Sequence, residues 1–206
     1  TLDAFYGLQN APQKAQLLNA REFAIIMNEA AVNSGKVPYF TNDQLANLPV
    51  NTTWLDEMFV KNAPTQNYVV GVQGGGGTST YSLSLGYTGQ EGIVGGRDLS
   101  NFERYTFRLN TEHNLYSNII KLGQHLTFNY QKNNGIAVGN QYNNSLRSAF
   151  NTSPFVPMYD ADGNFFDNSN STWYNGEANP YASMYYSNQN RNTSQRLFGD
   201  VYLAVE

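Results

Sequence analysis

The sequence predicts an all-β protein whose antiparallel strands form part of a transmembrane β-barrel. Composition gives the first indication, because charged residues make up only 14% of the 206 residues while aromatic residues make up another 14%. An average protein carries roughly 25% charged residues. The remainder is rich in Asn, Gln, Ser, Thr and Gly. This balance suits strands with one apolar and one wet face, whereas a helical bundle requires more Leu, Ala, Glu and Lys.

Composition also excludes several classes of protein. The net charge of −4, without a Lys/Arg cluster, argues against a nucleic-acid partner. The chain has no Cys, so it holds neither disulfides nor a thiolate metal site. No stretch approaches the roughly 18 apolar residues of a membrane helix, but barrel strands carry only alternating hydrophobicity and escape that test. Because the chain lacks an initial Met and stops inside an apparent strand, we expect a fragment.

Strict two-residue alternation is the second indication, and it is clearest from Thr78 to Gln90. Apolar side chains fall on one face and small polar groups on the other: Tyr81, Leu83, Leu85 and Tyr87 against Ser82, Ser84, Gly86 and Thr88. No helical pattern fits this period. The same alternation predicts strands over Ala4–Gln9, Gln66–Gln73, Arg104–Glu112, Ile120–Tyr130 and Arg196–Glu206.

Loop lengths are the third indication, because long and short connections alternate along the chain. The predicted connections are 10–65 (long), 74–77 (tight), 91–103 (medium), 113–119 (tight) and 132–195 (very long). The glycines of 74–77 are expected to supply positive φ angles in a hairpin. Outer-membrane barrels have short periplasmic turns and long extracellular loops, and tyrosines near strand ends form girdles at the membrane interfaces. We therefore expect the two long insertions to be extracellular, and Tyr81, Tyr87, Tyr105 and Tyr130 to be girdle candidates. A soluble sandwich with tyrosines at its rim is the competing interpretation.

Two short helices are predicted within the first insertion, packed on loops or on the barrel mouth. The first covers Asn19–Asn33, with Asn19 and Glu22 as a capping pair and Gly35 as its stop. The second covers Thr53–Phe59, opened by Asn51 or Thr52.

Several segments of the chain occur in a recognisable order: 4–30, 51–75, 80–94, 102–110 and 154–167. In this order they resemble the SusC-like (SusC/RagA-type) TonB-dependent transporters of the Bacteroidetes outer membrane. The resemblance implies that residues 1–206 are the N-terminal part of a 22-stranded barrel and supply about six of its strands. It also implies a plug domain with a TonB box, which is absent from this chain and couples the barrel to the TonB–ExbB–ExbD complex. A SusD-like surface lipoprotein would cap the barrel, and oligosaccharides or peptides would be imported across the outer membrane.

The aromatic-rich segment of the second long insertion is the best candidate binding site. Its members, expected to contact substrate or the lipoprotein, are Trp173, Tyr174, Tyr181, Tyr185 and Tyr186. Aromatic faces stack on sugar rings, but the same side chains could simply pack the loop. Asp160–Asn164 superficially resembles a calcium loop, yet its Gly and Glu positions do not fit, and a tight turn explains it. We predict no catalytic residue, metal site or cofactor. A secreted β-rich glycan-binding module is the alternative function.

Overall fold

A computed structural model describes residues 1–116, 119–136, 139, 142, 144–173, 176–187 and 191–205. The chain divides into two compact units. The sheet unit comprises Thr1–Asn10, Lys61–Gly135 and Asn190–Glu206. The loop unit comprises Ala11–Val60 and Ile136–Gln189, so it unites the two long insertions.

The sheet unit contains one six-stranded antiparallel sheet in which every strand pairs with its neighbours in the chain. The strands are β1 (Leu2–Gln9), β2 (Ala63–Gly76), β3 (Ser79–Glu91), β4 (Asn101–Leu115), β5 (Ile120–Asn134) and β6 (Arg191–Val205). The structure thus confirms the all-β prediction and all six strand positions. Long and short connections alternate as expected, and the medium connection carries a short helix, Gly96–Leu99.

Most strands are longer than the alternation predicted. Pairing continues beyond the predicted ends, for example from Tyr130 to Asn134 opposite Asn101. Backbone hydrogen bonds sustain a ladder regardless of side chain, so polar strand ends are invisible to a hydrophobic pattern.

The predicted tight hairpin between β2 and β3 is confirmed, but the expectation that its glycines supply positive φ angles was wrong. Gly74 and Gly75 pair with Tyr81 and Thr80, and none of residues 74–77 has a left-handed φ. The absence of a side chain at Gly74 serves a close approach instead, because an added Cβ would lie 2.7 Å from the Tyr81 hydroxyl.

Six helices are described: α1 (Ala20–Asn33), α2 (Asn42–Ala46), α3 (Trp54–Met58), α4 (Gly96–Leu99), α5 (Ser145–Asn151) and α6 (Pro180–Ser187). The predicted capping box of α1 is present, with Glu22 N donating to Asn19 Oδ1 at 2.9 Å and Asn19 N donating to the Glu22 carboxylate at 2.9 Å. Gly35 follows the helix with φ of +71°. Helices α2, α4, α5 and α6 were not predicted. None of the helices in the described part of the chain has the length and apolar composition that crossing a bilayer requires.

The opening of α3 corrects a second expectation. Thr53 is its N-cap, rather than Asn51 or Thr52. Asn51 instead accepts from Ala20 N at the start of α1, at 2.8 Å. The Thr52 hydroxyl donates to the Val156 carbonyl at 2.7 Å. Both residues therefore hold separate segments of the loop unit together, which no local pattern could reveal.

The loop unit has its own apolar core. Trp54, Met58 and Met184 are at most 1% exposed, and the Trp54 indole N–H donates to the Ser153 carbonyl at 3.1 Å. This core draws on both insertions, so the predicted packing of the helices on loops is confirmed.

Candidate functional site

One face of the sheet is continuously apolar. The register contains no bulge, so directly opposed residues share a face along all six strands. We call this side the apolar face; its central members are Val70, Val72, Leu83, Leu85, Phe107, Leu109, Leu126, Phe128, Leu197, Val201 and Leu203. Among the described strand residues, Ala63 is the one buried hydrophobic residue. Large apolar side chains such as Leu85 (54% exposed) and Leu203 (64%) face outward, which a soluble monomer rarely tolerates over so large an area.

A row of tyrosines limits this face at the end near the longer connections. Its members, Tyr68, Tyr87, Tyr105 and Tyr130, lie opposite one another on four neighbouring strands, with ring centroids 5.0 to 6.3 Å apart. This tyrosine row contains three of the four predicted girdle residues. Tyr81 lies at the opposite end of β3, near the tight turn. Between the row and the turns, no Asp, Glu, Lys or Arg lies on the apolar face of the described strands. The pattern is that of a lipid-contacting band with an aromatic girdle.

The opposite side of the sheet, the polar face, carries the charges. Its charged or ionisable members are Asp3, Arg104, Arg108, Glu112, Lys121, His125, Arg196 and Asp200. Near the tight turns these groups are paired: the Tyr202 hydroxyl donates to Glu112 at 2.8 Å, and His125 lies 3.1 Å from Asp200. Separation of charge from apolar surface by strand alternation is what a barrel with a wet interior requires.

The structure separates the predicted aromatic site into two clusters within the loop unit. Trp173 stacks on Phe40 at 5.2 Å and contacts Phe23 and Phe155 at 6.3 and 5.2 Å. The ring of Trp173 thus packs the two insertions together. It also contacts Tyr39, an exposed residue, at 5.6 Å.

The second cluster, here the tyrosine patch, surrounds Phe165. Tyr181, Tyr185 and Tyr186 lie 5.4 to 5.8 Å from the Phe165 ring, and Tyr159 stacks on it at 5.4 Å. Three of these rings are open to solvent, with Tyr159, Tyr185 and Tyr186 exposed by 48%, 52% and 66%. The fifth predicted residue, Tyr174, lies outside the described residues. Of the predicted site, the tyrosine patch offers ring faces that a ligand could contact.

A tight turn positions Tyr159 and Phe165, which sequence reasoning did not assign to the site. The Asp160 carboxylate accepts from Asp162 N at 3.0 Å and from Asn164 N at 2.8 Å, and Gly163 has φ of +82°. This hairpin agrees with the predicted turn rather than a calcium loop. The flanking residues Tyr159 and Phe165 pair as an antiparallel bridge. The aromatic residue on either side of Asp160–Asn164 is therefore the sequence feature that could have assigned both to the site.

Hydrogen bonds from polar side chains hold the backbone around the tyrosine patch. Asn179 is 2% exposed, accepts from Ala182 N at the start of α6, and donates to the Met158 carbonyl at 2.8 Å. Nearby, the backbone N–H of Ser169 donates to Asp167 and lowers the pKa of that carboxyl. No cluster of three or more potential metal-ligating carboxylates or histidines occurs within the described ranges.

No protein-family model matches the chain. Individual relatives do: the chain is 31% identical to the TonB-dependent receptor P26 of Formosa agariphila over 204 residues, which is 97% of this chain. It is also 31% identical over 163 residues, or 73% of the chain, to the TonB-dependent receptor SusC of Bacteroides thetaiotaomicron. The chain belongs to the SusC-like TonB-dependent receptors. It spans 19% of the length of the first relative and 15% of the second.

Solved structures show the same fold. A chain of the RagAB peptide importer in its closed-closed state matches all of this chain with a TM-score of 0.65 at 17% identity, and the match covers 26% of that chain. A second RagAB peptide transporter structure matches 99% of this chain with the same TM-score at 18% identity. The family consists of outer-membrane β-barrel proteins, and the six strands are part of such a barrel. The relatives are named as receptors rather than enzymes.

Proposed function

We propose that this chain forms part of the barrel wall of a TonB-dependent importer of the outer membrane. The single observation that carries the proposal is the uncharged apolar face that ends at the tyrosine row, taken together with family membership. The apolar face would contact lipid, and the polar face would line the transport pathway. The plug, which the TonB–ExbB–ExbD complex would act on, and the remaining strands would be supplied by the rest of the full-length protein.

We further propose that the tight turns at 77–78 and 116–119 are periplasmic and that the loop unit is extracellular. The lengths of the connections support this orientation, because periplasmic turns of outer-membrane barrels are short and extracellular loops are long. The loop unit supports this assignment because it is a folded body with its own core, of the kind that long extracellular insertions can form. A cysteine placed in the loop unit, such as Tyr142→Cys, is expected to react in intact cells with a thiol reagent that cannot cross the outer membrane. A cysteine at Tyr116 is expected to react only after lysis.

The imported substrate is proposed to be an oligosaccharide or a peptide, delivered with a SusD-like lipoprotein partner. Within the described residues of the loop unit, the tyrosine patch is the proposed contact surface for either the substrate or the lipoprotein partner. Exposed tyrosines bury large area at little conformational cost and are enriched at binding surfaces. Trp173 is left out of the proposal because its ring packs against Phe40 and Phe155.

Uptake tests the importer. A strain lacking the full-length gene is expected to lose uptake of individual labelled oligosaccharides or peptides, and a strain lacking TonB is expected to show the same loss. Unchanged uptake of every substrate class in both strains would refute the importer. Recovery of the full-length protein in a soluble secreted fraction would instead favour the glycan-binding module.

The patch is tested by Tyr185→Ala combined with Tyr186→Ala in the full-length protein. Tyr142→Ala is the matched control, because Tyr142 lies in the same insertion, is 78% exposed and has the Arg147 guanidinium over its ring at 5.8 Å. Substrate contact predicts weaker substrate binding with normal co-purification of the lipoprotein. Lipoprotein contact predicts the converse. Equal behaviour of the double variant and the control would exclude the patch from both roles.

A further inference from the structure

Three arginines on the polar face stand close together, and the described part of the chain offers them no acidic partner. Arg104 and Arg108 lie four residues apart on β4, and Arg196 on β6 lies in the row between them, opposite Asn129 of β5. With strands about 4.8 Å apart and a rise of about 3.3 Å per residue, their Cα atoms form a triangle with sides of roughly 12–13 Å. Extended arginine side chains can converge on one group across that distance. All three line a single depression of about 230 Å³.

The surroundings of this arginine triad are neutral and polar. Thr106, Asn129 and Gln131 line the same depression, and the Thr106 hydroxyl donates to Asn129 at 2.9 Å. Among the described residues, no Asp or Glu forms an ion pair with any of the three guanidinium groups. On the polar face of the same two strands, the acids are Glu112 and Asp200, which lie four residues further toward the tight turns, about 13 Å along the strand.

Those acids are engaged elsewhere, so they do not neutralise the triad. Glu112 accepts from Tyr202 at 2.8 Å and lies 3.8 Å from Lys121 Nζ. Asp200 lies 3.1 Å from His125 Nδ1. The polar face is thus divided into a paired zone near the tight turns and an unneutralised cationic zone nearer the long connections.

We propose that the triad binds an anionic group, a carboxylate or a sulfate ester, on an oligosaccharide passing along the polar face. This inference rests on the proposed function, because it takes the polar face as the wall of the transport pathway. Guanidinium groups hold planar or tetrahedral oxyanions by paired, charge-assisted hydrogen bonds. The neutral Thr, Asn and Gln neighbours suit the hydroxyl groups of a sugar, and the exposed rings of the tyrosine patch independently suit sugar faces.

The test uses the purified full-length transporter and four probes of equal length. These are a galacturonic acid hexasaccharide, a sulfated galactose hexasaccharide, a neutral galactose hexasaccharide and a hexa-aspartate peptide. Affinity is measured by calorimetry for the wild type and for the variant carrying Arg104→Gln, Arg108→Gln and Arg196→Gln. Arg191→Gln is the matched control, because Arg191 lies on the same strand as Arg196 but on the other face. Heat-modifiable migration in gels verifies that each barrel is folded, and the three single Arg→Gln variants replace the triple variant if that one fails to fold.

We expect at least one anionic hexasaccharide to bind the wild type and the control, and to lose at least about tenfold in affinity in the triple variant. Raising the salt concentration should weaken wild-type binding more than variant binding, because screening acts on the lost charges. Loss confined to the uronate identifies a carboxylate, and loss confined to the sulfated sugar identifies a sulfate ester.

Three results would overturn the inference. The first is equal affinity of wild type and triple variant for the anionic sugars, and the second is no binding of either sugar to the wild type. The third is an effect of the substitutions on hexa-aspartate alone, which would assign the triad to acidic peptides. None of these results bears on the importer itself, which is tested separately in the wild type: TonB-dependent uptake of any substrate supports it, and absence of uptake of every substrate refutes it.

Discussion

Reversing the polarity of one residue on the apolar face gives the most direct test of the membrane assignment. Leu109 lies on β4 between Leu83 and Leu126, four residues below Tyr105 of the tyrosine row. At about 3.3 Å per residue and a strand tilt of about 45°, that places Leu109 roughly 9 Å beneath the row. The ten residue steps from Tyr105 to Leu115 span about 23 Å by the same reckoning, close to the roughly 25 Å apolar band of such barrels. Leu109 is therefore near the middle of the bilayer.

Leu109→Arg is expected to cost about 2–4 kcal/mol of folding free energy, the penalty for arginine on a lipid-facing barrel surface at mid-bilayer. Such a loss corresponds to roughly 30- to 1000-fold in the folding equilibrium. The control is Asn110→Arg, one residue further along the same strand but on the polar face, where the penalty is expected to be within about 0.5 kcal/mol. The two positions are adjacent, so they share the same strand pairing and nearly the same depth. A difference in stability between the two variants therefore reports which face of the sheet the arginine is on.

The measurement is the folded fraction of the full-length protein, read from heat-modifiable gel migration and from thermal unfolding in lipid vesicles. The expected outcome is a clear loss of folded Leu109→Arg protein beside a normal amount of Asn110→Arg protein. Equal loss in the two variants, or greater loss for Asn110→Arg, would show that the apolar face does not contact lipid.

Two further outcomes follow from the packing. Trp54→Ala in the core of the loop unit should cost about 3–5 kcal/mol of folding free energy and speed protease cleavage of both insertions. Trp54→Phe keeps most of the apolar volume and should have a smaller effect. An unaltered rate of cleavage of the Trp54→Ala variant would contradict the shared core. Gly123→Val should cost about 1–3 kcal/mol, because its side chain would occupy the space of the Tyr202 ring. The Gly123→Val penalty should shrink in a Tyr202→Ala background in a thermal unfolding comparison, and a penalty of equal size there would point to a different cause.

The helical and loop features that the sequence predicted well are those with local causes. The capping box of Asn19 and Glu22 joins groups three residues apart, and the turn at Asp160–Asn164 closes on itself, so both were readable from neighbouring letters. The opening of α3 was misjudged because Asn51 and Thr52 bind partners 31 and 104 residues away. Distant contacts also explain the error in the candidate site. Trp173 was grouped with nearby tyrosines, but its packing partners include Phe23 and Phe40 from the other insertion.

The sequence by itself determined the strands, their two faces and the alternation of loop lengths, because side-chain period and turn spacing are local properties of an extended chain. Only the tertiary structure showed that tyrosines from four strands align in one row, since register is a relation between strands. The same holds for the arginine triad: Arg196 follows Arg108 by 88 residues, and pairing of β4, β5 and β6 brings them to one depression. Contacts between distant segments depend on which strands pair and in what register, and no single stretch of sequence contains that information.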